Sequence, residues 1–136
     1  MKILIGFLLP FIVVGCWTDS YKPVFQTTTL KLKSGEVIYL KKKNWGLTFD
    51  HQVSVISNSD KNEWKPDSTK EYVFKGLEPF FYKFSNDSLI LFTRLNAEVP
   101  PNFNSKIQIV QKQLPNSQIM DLYDLVNKGD STIIKF

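Results

Sequence analysis

From residue 24 onward, hydrophobic and polar positions alternate with a period of two, interrupted at short intervals by turn-forming residues. Such alternation sends one side chain toward a core and the next toward water, as a half-buried strand requires. Residues 27–33 (TTTLKLK) and 36–41 (EVIYLK) flank Ser34-Gly35 and predict a hairpin. On its first strand Leu30 and Leu32 share one face, Lys31 and Lys33 the other. Lys43, Asn44 and Gly46 bracket Trp45 in the connection that follows, and residues 47–49 and 52–57 (QVSVIS) predict one interrupted strand or two short ones. Residues 58–70 are polar and rich in turn formers, a loop longer than a simple hairpin needs. Residues 71–75 (EYVFK) read as a strand stopped by Gly76. Residues 80–84 and 89–94 pair around Ser85-Asn86-Asp87-Ser88. A second loop, 95–105, carries Pro100-Pro101 and is expected to be extended and exposed. Residues 106–112 (KIQIVQK) alternate again, with Ile107 and Ile109 on one face, and 131–136 (STIIKF) close the chain as a last strand.

The period changes once. Ile119, Leu122, Tyr123 and Val126 fall at i, i+3, i+4 and i+7, which predicts an amphipathic helix over about 118–128, with Ser117 as N-cap and Gly129 as its stop. Short strands with one late helix define a mainly β class. The expected fold is an antiparallel β-sandwich or partly open β-barrel of about eight short strands, with one short C-terminal helix.

The first sixteen residues follow another logic. Lys2 precedes an apolar stretch from Ile3 to Val14, interrupted only by Gly6 and Pro10. Twelve helical residues reach about 18 Å, short of the ~30 Å hydrocarbon core, so the pattern fits a secretory signal better than a membrane span. The segment ends Val13-Val14-Gly15-Cys16, which resembles the lipobox of bacterial lipoproteins, with Val13 in place of the commoner leucine. The resemblance covers residues 1–16 alone. It implies that Cys16 receives a diacylglyceryl group and that cleavage falls between Gly15 and Cys16. It also implies that residues 16–23 are a lipidated tether carrying a single β-rich domain, residues 24–136. Trp17 follows the cysteine where aspartate would signal inner-membrane retention in some bacteria. The implied location is therefore the bacterial cell envelope, at the outer membrane and facing the periplasm.

Composition adds limits. Cys16 is the sole cysteine, so once it is acylated no disulfide can form and stability rests on packing, for which eleven Phe, five Tyr and three Trp supply area. The net charge of +4 is modest, and with an envelope location it argues against a nucleic-acid partner. The lysines concentrate at Lys31, Lys33 and Lys41-Lys42-Lys43, read as a solvated face and a basic hairpin end, or alternatively as a contact with anionic headgroups or polysaccharide.

Candidate chemistry is sparse. Asp50 precedes the only histidine, His51, but neighbours on a strand point to opposite faces. Asp60, Asn62 and Glu71 fit positions one, three and twelve of a calcium loop, yet Trp64 and Lys65 stand at five and six, where a ligand and a glycine belong. No metal or cofactor is expected. There is no Gly-x-Ser-x-Gly elbow and no phosphate-binding glycine loop. Phe80, Tyr82 and Phe84 share one strand face, Phe81 and Lys83 the other. Trp45 and Trp64, assigned to loops beside the lysines, are the candidate binding surface together with Lys41, Lys42 and Lys43, because aromatic anchors dominate binding energy. The expected function is a membrane-anchored, non-enzymatic binding or adaptor module for an envelope protein or glycan. The alternatives are a carbohydrate or lipid carrier with an aromatic pocket and, third, a hydrolase.

Overall fold

Among the described residues strand alternation resolves into eight strands: β1 (Val24–Lys31), β2 (Val37–Trp45), β3 (His51–Ser57), β4 (Tyr72–Lys75), β5 (Phe81–Ser85), β6 (Ser88–Thr93), β7 (Gln108–Gln113) and β8 (Ile134–Lys135). One helix, α1 (Asn116–Asn127), lies between the last two. These elements belong to a computed structural model that describes residues 22–46, 48, 50–61, 65–76 and 80–136. Gly15 and Cys16, most of the tether, Leu47 and Phe49 of the expected short strand, Asn62 and Trp64 lie outside the described residues, and Thr48 sits in a turn.

Two four-stranded sheets form, ordered β1-β2-β3-β4 and β7-β6-β5-β8, and neither closes into a barrel. The first is an antiparallel meander. Its β1–β2 hairpin turns at Ser34-Gly35, with Lys31 opposite Val37 and Gly35 at φ 87°, where a side chain would be strained. In the second sheet β5 and β6 pair antiparallel around a two-residue turn, and Asn86 takes the left-handed φ of 55°. The expectation of antiparallel pairing fails at one place: β7 lies parallel to β6. Residues 94–107 return the chain along the full strand length before β7 begins, and that crossover is what parallel pairing demands.

The sheets pack face to face through Leu30, Ile38, Leu40, Ile56 and Tyr72 on one side and Phe80, Tyr82, Leu89, Leu91 and Phe136 on the other. A second core forms on the far side of the second sheet, where Phe81 meets Ile119 and Leu122 of α1. The Phe81 and Tyr123 rings meet edge to face at 4.9 Å. The described residues therefore form three layers, sheet, sheet and helix, with Phe81 and Tyr82 at the start of β5 buried on opposite faces.

Local expectations need four corrections. Trp45 and Asn44 end β2 instead of sitting in a connection, because β2 stays paired with β3 as far as Trp45 and His51. The helix starts at Asn116 with Pro115 as N-cap and no capping side chain, since the Pro115 carbonyl already accepts from the Ile119 N–H; Ser117 lies inside the first turn. Its C-terminus is as expected: Gly129, at φ 87°, donates to Val126 while Asp130 donates to Leu125. The proline loop is held down, with Pro100 buried, the Asn102 N–H bonded to the Thr69 carbonyl, and Phe103 edge-on to Tyr72 at 5.1 Å. The final strand shrinks to two residues, and Phe136 turns into the inter-sheet core.

Truncating Phe81 to Ala leaves both the helix and the second sheet without their shared contact. It should cost about 3–5 kcal/mol, whereas Leu95→Ala at an exposed crossover position should change stability by less than about 0.5 kcal/mol. Urea unfolding of the two variants compares them directly.

Candidate functional site

The sandwich has two unlike ends. At one, the β1–β2 turn is tied to the β5–β6 turn by the Lys33 N–H bonding Asp87 Oδ1 at 2.9 Å, and Glu36 Oε2 accepts from the Lys106 N–H at 3.0 Å. That end is closed by hydrogen bonds between the sheets. Toward the other end the inner face of the first sheet changes character. Ile38 and Leu40 give way to Lys42 and Asn44 on β2, and Ile56 gives way to Ser54 and Gln52 on β3. Ser54 is still buried, but Lys42, Asn44 and Gln52 are only partly covered, so the sheets are not sealed beyond Ser54.

A cleft of about 910 Å³ opens at this end and wraps the edge of β4. Trp45, Phe74 and Phe80 give it aromatic walls. Asp50, Glu71 and Glu98 bring acidic groups, and His51, Lys75 and Arg94 bring bases. Its size falls within the range of small-ligand sites, about 300–1,000 Å³. From the aromatic stripe only Phe80 reaches it; Tyr82 and Phe84 pack in the inter-sheet core.

The edge itself carries information. β4 is hydrogen-bonded to β3 alone, as the outermost strand of its sheet. The Gly76 N–H donates to the Gln52 carbonyl at 3.0 Å, which makes Gln52 and Gly76 a hydrogen-bonded pair. Antiparallel ladders alternate bonded and non-bonded pairs, so Ser54–Phe74 is bonded and Val53–Lys75 and Val55–Val73 are not. The backbone N–H and C=O groups of Val73 and Lys75 consequently point away from β3, along the free edge, and both residues line the cleft.

The lysine run is split by strand alternation. Lys41 and Lys43 point to the outer face of the first sheet and Lys42 to the inner one, so the expected basic hairpin end does not exist. Lys41 is only 6% exposed and its ammonium donates to the Lys61 carbonyl at 2.9 Å. Burial pushes its pKa down, partly offset by Glu71 and Asp60 nearby. It fastens the β3–β4 loop over the sheet and is removed from any binding surface. Lys42 lies over the Phe136 ring at 4.5 Å, and burial together with Lys135 lowers its pKa. Lys43 alone stays beside Trp45, its ammonium 5.3 Å from that ring and 5.6 Å from the ring of Phe25.

Asp50 and His51 do meet, against the strand rule, because Asp50 precedes β3 and escapes its alternation. Asp50 Oδ1 lies 2.8 Å from His51 Nδ1, and this hydrogen bond holds the carboxyl below its ordinary range. Trp45 flanks the imidazole, ring centroids 5.6 Å apart. Gly46, at φ 99°, makes the arrangement fit, since a β-carbon there would collide with the Asp50 carboxylate. Both side chains are exposed, and among the described residues no serine or threonine hydroxyl bonds to His51.

Comparison with models of known protein families, with characterised proteins and with solved structures finds no match to this chain. Among the described residues no helix is long and apolar enough to cross a membrane, and no three potential metal-ligating side chains gather.

Two loop carboxylates resemble Asp50 in being held below the usual range by local hydrogen bonds. Asp67 accepts from the Thr69 hydroxyl and N–H, with Lys70 alongside, and Asp130 accepts from the Thr132 hydroxyl and N–H. Folded pKa values below the ordinary 3.8 mean that the unfolded chain takes up protons first as acid is added. Their stabilisation is complete above that value and is lost as pH falls through the lowered ones. Calorimetry from about pH 5 to about pH 2 should show a smaller drop in Tm for the Asp67→Asn/Asp130→Asn variant than for the parent. Its Tm at neutral pH should be lower.

Proposed function

We propose that this chain is a lipid-tethered, non-enzymatic binding module of the bacterial cell envelope. It is anchored through Cys16, faces the periplasm from the outer membrane, and holds an extended segment of an envelope protein along β4. The lipobox-like Val13-Val14-Gly15-Cys16 supports the anchor. The outward-facing backbone groups of Val73 and Lys75, lying in a cleft walled by Trp45, Phe74 and Phe80, carry the binding reading. An unpaired edge offers a new strand main-chain hydrogen bonds, and side pockets on alternate residues then choose the sequence. The mixed charges of Glu71, Lys75, Arg94 and Glu98 suit a peptide, whose own groups vary in sign.

The aromatic walls also favour the carrier reading, in which a saccharide ring stacks on Trp45 and the edge stays unpaired. The two differ at the amides. Peptides selected from a displayed random library should slow hydrogen exchange at Val73 and Lys75 by at least about tenfold when bound. Trp45→Ala should weaken them by about tenfold or more. Binding that leaves both amides exchanging as in the free domain would contradict the edge mode, and saccharide binding with that outcome would establish the carrier.

A further inference from the structure

The outer face of the first sheet, beyond Lys41, ends in a patch that meets the cleft at Trp45, Val53 and Lys75. Phe25, near the start of β1, is 50% exposed, unusual for a large apolar side chain on a strand. Strand pairing sets Phe25 opposite Lys43, Lys43 opposite Val53 and Val53 opposite Lys75, one cross-strand row on that face. Trp45 lies one step further along β2, within cation–π distance of Lys43. Exposed Lys22 precedes the strand. Three lysines thus border an apolar and aromatic edge, with Asp50 the acidic group beside Trp45 and His51.

Chain length decides what this patch meets. Seven residues separate Cys16 from Val24. At about 3.5 Å per residue, Val24 can lie no further than roughly 28 Å from the acylated sulfur. The patch is the start of the first strand, so it is the part of the domain held nearest the lipid. Helix α1, two layers away, is on the opposite side. An exposed Phe and a half-buried Trp beside lysines match the chemistry of a bilayer interface, where aromatic rings sit at headgroup level and cations attract anionic lipid.

We infer that the domain docks on the anionic phospholipid surface through Phe25 and Lys43, with Lys22, Lys75 and the rim of Trp45 alongside. Docking fixes the orientation of the domain and holds the cleft beside Trp45 close to the headgroups. The inference rests on the Cys16 anchor, and Trp45 and Lys75 border both the docked face and the cleft.

The test uses the acylated full chain in phosphatidylcholine vesicles with or without roughly 30% phosphatidylglycerol, a load that gives a strongly negative surface. Acylation blocks Cys16, so Thr27→Cys on the docking face, or Met120→Cys on the exposed side of α1, takes a single nitroxide. In anionic vesicles collisions of the label at position 27 with a water-soluble nickel complex should fall by roughly fivefold, and those at position 120 should not change. Adding Phe25→Ser and Lys43→Ser, or about 1 M salt, should restore access at position 27. A chain that floats with the vesicles yet shows equal access at both positions overturns the docking alone. One that does not float overturns the anchor and the docking with it.

Discussion

Everything in this fold rests on the start of β5 being buried from both sides. Phe80 and Tyr82 face the first sheet, and Phe81, between them in sequence, faces α1. A strand that alternates two apolar contacts in three residues can be satisfied only by a layer on each side, so the short helix is a structural necessity. It covers Phe81, and in doing so it carries the chain from β7 on one edge of the sheet to β8 on the other. The crossover 94–107 and the helix are both consequences of completing the sheet around β5 and β6.

The second constraint is the change from apolar to polar on the inner face of the first sheet. Leu40 and Lys42 are two residues apart on β2, and Ile56 and Gln52 are four apart on β3, yet the apolar residue of each pair is core and the polar one is only partly covered. The closed end, held by Lys33 with Asp87 and Glu36 with Lys106, keeps the sheets aligned. The open end exposes the edge of β4, the outermost and, at four residues, the shortest strand of its sheet. A short edge strand is a common protection against unwanted pairing, and here it also leaves room for a ligand.

Much of the fold was legible because alternation and turn chemistry are local. The hairpin at Ser34-Gly35, the turn at Asn86-Asp87, the stop at Gly129 and the two faces of the Phe80 to Phe84 stripe all follow from residues close in sequence. The errors share one cause. Trp45 was assigned to a connection because Asn44 and Gly46 flank it, and pairing with β3 overrode that local signal. Lys41 looked like surface until the β3–β4 loop covered it. The candidate site was barely legible. Trp45 and Lys43 were among the residues singled out, but the β4 edge, Arg94 and Glu98 depend on which strands become neighbours, and no local pattern encodes strand order. Asp50 and His51 were set aside by a strand rule that stops one residue short of Asp50.

The claim that β5 organises both cores is open to a direct reading by native-state hydrogen exchange along the chain. Amides of β5 and β6 should exchange only through global unfolding, with the same denaturant dependence as the whole domain, and those of β1 and β8 should exchange earlier through local opening. If β5 and β6 exchanged before the β1–β2 hairpin, the first sheet would be the stable unit and the order of dependence argued from Phe80, Phe81 and Tyr82 would be wrong.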